Sequence, residues 1–181
     1  MRNSFFILIL FCFNFGISQN LKVVIDTSVT TKHKTTIKGI EMGYTAETGM
    51  QPVWNKEGTA IASLFYTYYR RDHVKNTNKR PILISFNGGP GSASVWMHMA
   101  YTGPRILKVD DEGYPVQPYG FKSNPNSILD VADIVFVNPV NTAYSRMIPN
   151  KDGELPDRSQ FFGINEDLSL IHISEPTRPI D

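Results

Sequence analysis

Between positions 81 and 94 the chain reads PILISFNGGPGSAS. Three glycines, Gly88, Gly89 and Gly91, crowd a single bend, and Pro90 stiffens it. Glycine has no Cβ, so a ligand atom can come close to its N–H, and it accepts φ > 0 without strain. Successive N–H groups in such a bend can converge on negative charge. Two chemistries use that arrangement: the cradling of a standing anion such as phosphate, and the stabilisation of an oxyanion that develops during acyl transfer. A phosphate loop requires Gly-Lys-Ser/Thr at its end, and none is present here. A tight strand-to-helix turn without chemistry is the third reading, and the glycines alone do not separate it from an oxyanion hole.

The other residues that could do chemistry are dispersed. His33, His73, His98 and His172 have no partners at metal-ligand spacing, so no metal site is expected. His98 lies close to Trp96, and helix packing is favoured over a role in lining a pocket. Asp110, Asp111 and Glu112 precede Gly113 in what reads as a solvated acidic turn. The run FYTYYRR at 65–71 mixes aromatic and basic residues but reads as an ordinary strand. No Gly-x-Ser-x-Gly occurs in the chain, so the nucleophile elbow that acyl-transfer sites often use is not in this sequence. No cofactor is called for.

The elements around the bend can be read from pattern. Residues 34–44 and 59–72 are rich in Thr, Ile, Tyr and Phe and predict strands, with a turn over 48–58 where Gly, Pro and Asn gather. Residues 19–34 read as an exposed polar lead-in, and 73–80 as a polar loop. PILISF is a continuous apolar run of the kind covered on both faces in a parallel sheet. ASVWMHMAY predicts a helix that stops at Gly103-Pro104. A Pro/Gly-rich loop comes next, and then a second buried strand centred on 134–137 that ends at Asn138-Pro139. This order predicts an α/β fold in which leading antiparallel strands are followed by parallel ones. In such sheets ligands bind beyond the carboxyl ends of the strands, where residues 87–91 would stand.

The chain has 181 residues, 41% hydrophobic and 19% charged, with a formal net charge of +1. That composition suits a domain with a real core. It offers no basic surface for nucleic acid. The first residues, MRNSFFILILFCFNFGISQN, place Arg2 before an apolar run at 5–15 and small residues at Gly16 and Ser18. This is the layout of a secretory signal over 1–18, cleaved after Ser18. The run is shorter than the about 20 residues of a spanning helix, so no stable membrane insertion is expected after cleavage. The single cysteine, Cys12, lies inside that signal. The mature chain, from residue 19, is expected to be secreted or periplasmic and to stand without disulfides.

FNGGPGSAS, the Gly103-Pro104 pair beyond it, and DVADIVFVNPVNTAYSRM resemble the serine carboxypeptidase family of α/β hydrolases over residues 82–167, and FFGINEDL resembles the stretch leading toward the family's nucleophile. The resemblance implies the N-terminal part of an α/β-hydrolase sheet. It implies a secreted serine-type carboxypeptidase that takes peptides with a free C-terminus and works by Ser-His-Asp acyl transfer. Gly89 is then the N–H donor to the oxyanion, while Asn87 and Gly88 hold the terminal carboxylate. Tyr101 stands where family members place a glutamate that shares a proton with that carboxylate. Its hydroxyl can donate a hydrogen bond but cannot form the carboxyl pair. Ser92 replaces a frequent cysteine, and Asn141 and Ala143 stand at customary glycine positions.

Serine, aspartate and histidine of the triad are none of them placed in this chain by the resemblance. With 168–181 read as a foreign or frame-shifted tail, residues 19–181 are expected to form an incomplete domain that catalyses nothing alone. An esterase or acyltransferase, which Tyr101 favours, and a non-catalytic secreted binding module are the alternatives.

Overall fold

The computed structural model describes residues 25–87 and 91–163. The expected signal at 1–18, Gly88, Gly89 and the tail at 168–181 lie outside the described residues.

Strands β1 (Thr27–Ile37), β2 (Ile40–Trp54) and β3 (Ala60–Arg71) form an antiparallel meander. Strand β4 (Ile82–Ser85) comes next, and after it a π-helical segment, Met97–Thr102. Strands β5 (Arg105–Leu107) and β6 (Phe121–Ser123) pair only with each other. Strand β7 (Asp133–Val137) inserts between β3 and β4, so the main sheet runs β1-β2-β3-β7-β4, and β8 (Arg146–Met147) adds to β3.

The expected α/β class is overturned. The described residues are mostly strand, and helix is confined to the turns around Met97–Thr102 and three short 3-10 pieces. Among the described strands, only β4 and β7 run parallel. The physical reason is local. Apolar runs of strand length are separated by segments too rich in Gly, Pro and Asn to hold a helix, and ASVWMHMAY supports only a few turns before Gly103. No helix among the described residues is long and apolar enough to cross a membrane.

Smaller corrections have equally local causes. The strand expected over 34–44 is broken by a turn at Lys38 and Gly39, whose φ values of 50° and 80° suit a two-residue hairpin connection. The exposed lead-in becomes strand from Thr27 onward. It is an edge strand, and Lys32 and Lys34 on it discourage further pairing. The turn expected over 48–58 is shorter, because β2 continues to Trp54 and only then bulges.

Two cores pack on the β2–β3 hairpin. One joins Ile37, Met42, Tyr44, Ala46, Leu129, Ile134 and Phe136. The other joins Val53, Ala62, Leu64, Val140, Met147 and Phe161. The odd spacings from Ala46 to Val53 and from Leu64 to Tyr69 put them on opposite faces of the hairpin. Strand β7 serves both: Ile134 and Phe136 enter the first, while Val137 packs against the second. Strand β4 departs from its expected double burial. Ile82 is 58% exposed, and Leu83 and Ile84 are exposed as well, because β4 is the last strand of the described sheet.

At the start of the parallel pair, Arg80 and Asp133 form a buried ion pair at 2.6 Å, their side chains 8% and 6% exposed. The Arg80 guanidinium also donates to the carbonyls of Leu129 at 2.5 Å and Ala132 at 3.0 Å. Asp133 accepts a second bond from the Arg71 N–H at 3.2 Å. These bonds satisfy the charges that burial would otherwise penalise. They also tie the chain just before β4 to the first residue of β7.

Candidate active site

Parallel pairing matches Ser85 with Phe136. Asn87 and Asn138 therefore leave their strands side by side, at the carboxyl ends. The two exits are tied by Ser94, which is 1% exposed. Its hydroxyl accepts the Asn87 N–H at 3.1 Å and donates to the Val137 carbonyl. Its own N–H donates to Asn138 Oδ1 at 2.9 Å. Asn138 is held in turn by β3: its N–H donates to the Phe65 carbonyl at 2.9 Å. The fully buried Ser145 donates to the Asn138 carbonyl at 2.7 Å and accepts the Phe65 N–H at 2.8 Å. The buried hydroxyls of Ser94 and Ser145 each accept one hydrogen bond and donate another, as buried polar groups must.

The Asn87 side chain points its Nδ2 at Ser92 Oγ, 2.7 Å away. Ser92 thus orients the asparagine carboxamide. Gly91 takes φ 87° and would meet nothing with a Cβ, so its glycine answers backbone conformation rather than crowding.

Tyr101 sits near the end of the π-helical segment and is 64% exposed. The backbone there is pinned by the buried Asn124, whose Nδ2 donates to the carbonyls of Tyr101 at 2.7 Å and Gly103 at 2.8 Å. Gly103 comes so close to the His98 carbonyl oxygen that an added Cβ would collide with it. The segment is seated by His98. The imidazole stacks on Phe136 with centroids 4.4 Å apart, and Nε2 lies 2.5 Å from the Tyr69 hydroxyl. Burial lowers the His98 pKa to about 4, which keeps the ring neutral at ordinary pH. The packing role expected for His98 is what the geometry shows, and Trp96 beside it is exposed.

Of the sequence-derived candidates, the described residues thus place Asn87 at the strand exit and Tyr101 on the segment beyond it. Sequence reasoning does not single out Ser94, Asn138 or Ser145 as site residues. Their signal is indirect: small polar residues at the ends of two apolar strands, where unpaired strand-end groups need partners. A cavity of about 370 Å³ lies at the opposite ends of β4 and β7, lined by Tyr68, Arg71, Arg80 and Asp133 among others, and does not reach this site.

The profile of the serine carboxypeptidase family matches residues 40–160, from the start of β2 through the last 3-10 turn. That is well over half of the 181-residue chain. The chain belongs to the serine carboxypeptidase family. No match was found among the curated proteins.

Proposed function

We propose that this chain carries the substrate-reading side of an exported serine-type carboxypeptidase. The observation that supports the reading most is the family match, which includes the whole Asn-Gly-Gly-Pro-Gly bend. Asn87, with Gly88, holds the terminal carboxylate of a peptide. Gly89 directs its N–H at the carbonyl oxygen. A serine supplied by the complete enzyme attacks the carbonyl carbon while a histidine takes its proton, and an aspartate orients that histidine. The electron pair moves onto the carbonyl oxygen, and the Gly89 N–H stabilises that charge. Collapse expels the terminal amino acid, whose nitrogen takes the proton from the histidine. Water, deprotonated by the same histidine, then releases the acyl group, and the proton returns to the serine.

The test is the product of the reading frame continued past the codon for Asp167. It should contain Gly-x-Ser-x-Gly and hydrolyse an N-blocked dipeptide faster than its C-terminal amide. Equal rates on acid and amide, or turnover of simple esters alone, would replace this reading with the esterase or acyltransferase that Tyr101 favours. The 181-residue chain itself should not react with a fluorophosphonate probe, and stoichiometric labelling would place the nucleophile here after all. The exported form should begin near Gln19, and an intact mass that retains residues 1–18 would contradict the signal.

A further inference from the structure

We propose that Ser94 and Asn138 are positioning residues that set the aim of Asn87 toward a peptide carboxylate. The inference rests on the carboxylate-holding role proposed for Asn87. Ser94 ties the two strand ends with three hydrogen bonds: its hydroxyl bridges the Asn87 N–H and the Val137 carbonyl, and its N–H reaches Asn138 Oδ1 at 2.9 Å. No solvent group can substitute, because Ser94 is 1% exposed. The Asn87 backbone is therefore fixed relative to β7, which is itself anchored to β3 through Ser145.

From that fixed backbone, the carboxamide is turned by Ser92 Oγ at 2.7 Å. The aim of Asn87 thus depends on a bond that holds its backbone and on a bond that turns its side chain. A donor whose backbone drifts loses its geometry quickly, since hydrogen bonds weaken steeply with angle. The clasp thus acts on substrate through Asn87 without touching it.

The experiment is a calorimetric titration of the full chain with hippuryl-phenylalanine and with its C-terminal amide. The unsubstituted chain should prefer the acid. Ser94→Ala and Asn138→Leu should lower that preference by about tenfold, the scale of one well-placed hydrogen bond to a charged group. Asn138→Asp keeps the oxygen that accepts from the Ser94 N–H and should retain the preference to within about threefold. A role in stability alone would lower the melting temperature of the variants and leave the acid-to-amide ratio unchanged. A folded Ser94→Ala or Asn138→Leu chain with an unaltered ratio would overturn the inference while the carboxylate reading stands. An unsubstituted chain with no preference for acid would overturn the carboxylate reading and this inference with it. Should Ser94→Ala fail to fold, the Asn138→Leu and Asn138→Asp pair decides, because Asn138 is only half-buried.

Discussion

The Tyr69 hydroxyl and His98 Nε2 lie 2.5 Å apart, with Phe136 stacked on the face of the imidazole. The His98 N–H donates to the Ser94 carbonyl at 3.0 Å, so the seat of the segment and the strand-end clasp share one piece of backbone. Burial lowers the His98 pKa to about 4 and raises that of Tyr69. Tyr44, packed edge-on against Tyr69, is the other titratable ring at this seat, and its pKa is raised by burial too.

These shifts fix a pH dependence. Unfolded His98 takes a proton near pH 6.5, while the folded ring resists until about 4. The unfolded state therefore binds more protons between those values, and stability falls as pH drops through the window. The contribution is fully present above 6.5 and amounts to about 3 kcal/mol. Urea unfolding at pH 7 and pH 4.5 should show a smaller loss for His98→Phe than for the unsubstituted chain. Equal losses would mean that His98 is protonated in the fold.

The Arg80–Asp133 pair predicts an asymmetry. Asp133→Ala leaves the guanidinium buried among carbonyls without its counter-charge, and should cost about 3–5 kcal/mol. Replacing both residues by apolar ones of similar volume should cost much less than the sum of the single changes. Denaturant midpoints of the two single variants and the double variant check this. Additive losses would show that the pair is not coupled.

Asn141 and Ala143 take φ values of 62° and 45°, in the left-handed region. Both stand where the family resemblance expects glycine. Ala143 is exposed, so its methyl packs on nothing that would be missed. Ala143→Gly should raise stability by up to about 1 kcal/mol, since relief of left-handed strain outweighs the added freedom of the unfolded chain. A lower melting temperature would show that this loop relaxes away from the strained conformation.

How much of the fold is legible in the sequence depends on the range of the interaction. β3 and β4 can be read to within a residue or two, because β-branched and aromatic runs bounded by polar loops are local signals. The Lys38-Gly39 hairpin escapes because a single glycine interrupts an otherwise continuous strand pattern. The α/β class fails because a parallel pair does not by itself make a layered fold, and the segments between the strands are too broken by Gly, Pro and Asn for long covering helices. Asn87 stands out because it adjoins three glycines. Ser94 and Asn138 do not, since their importance comes from the parallel pairing of β4 with β7, which brings residues far apart in sequence together.

The central claim is that the bend after β4 stabilises an oxyanion, and Gly89→Ala in the enzyme complete with its nucleophile tests it most directly. A Cβ at that position would obstruct the approach of the substrate oxygen to the N–H. The account predicts that kcat falls by at least about tenfold, as expected when an oxyanion donor is impaired, while the melting temperature changes little. A well-folded Gly89→Ala enzyme with unchanged kcat would contradict it and leave the bend as a turn that only carries the chain out of β4.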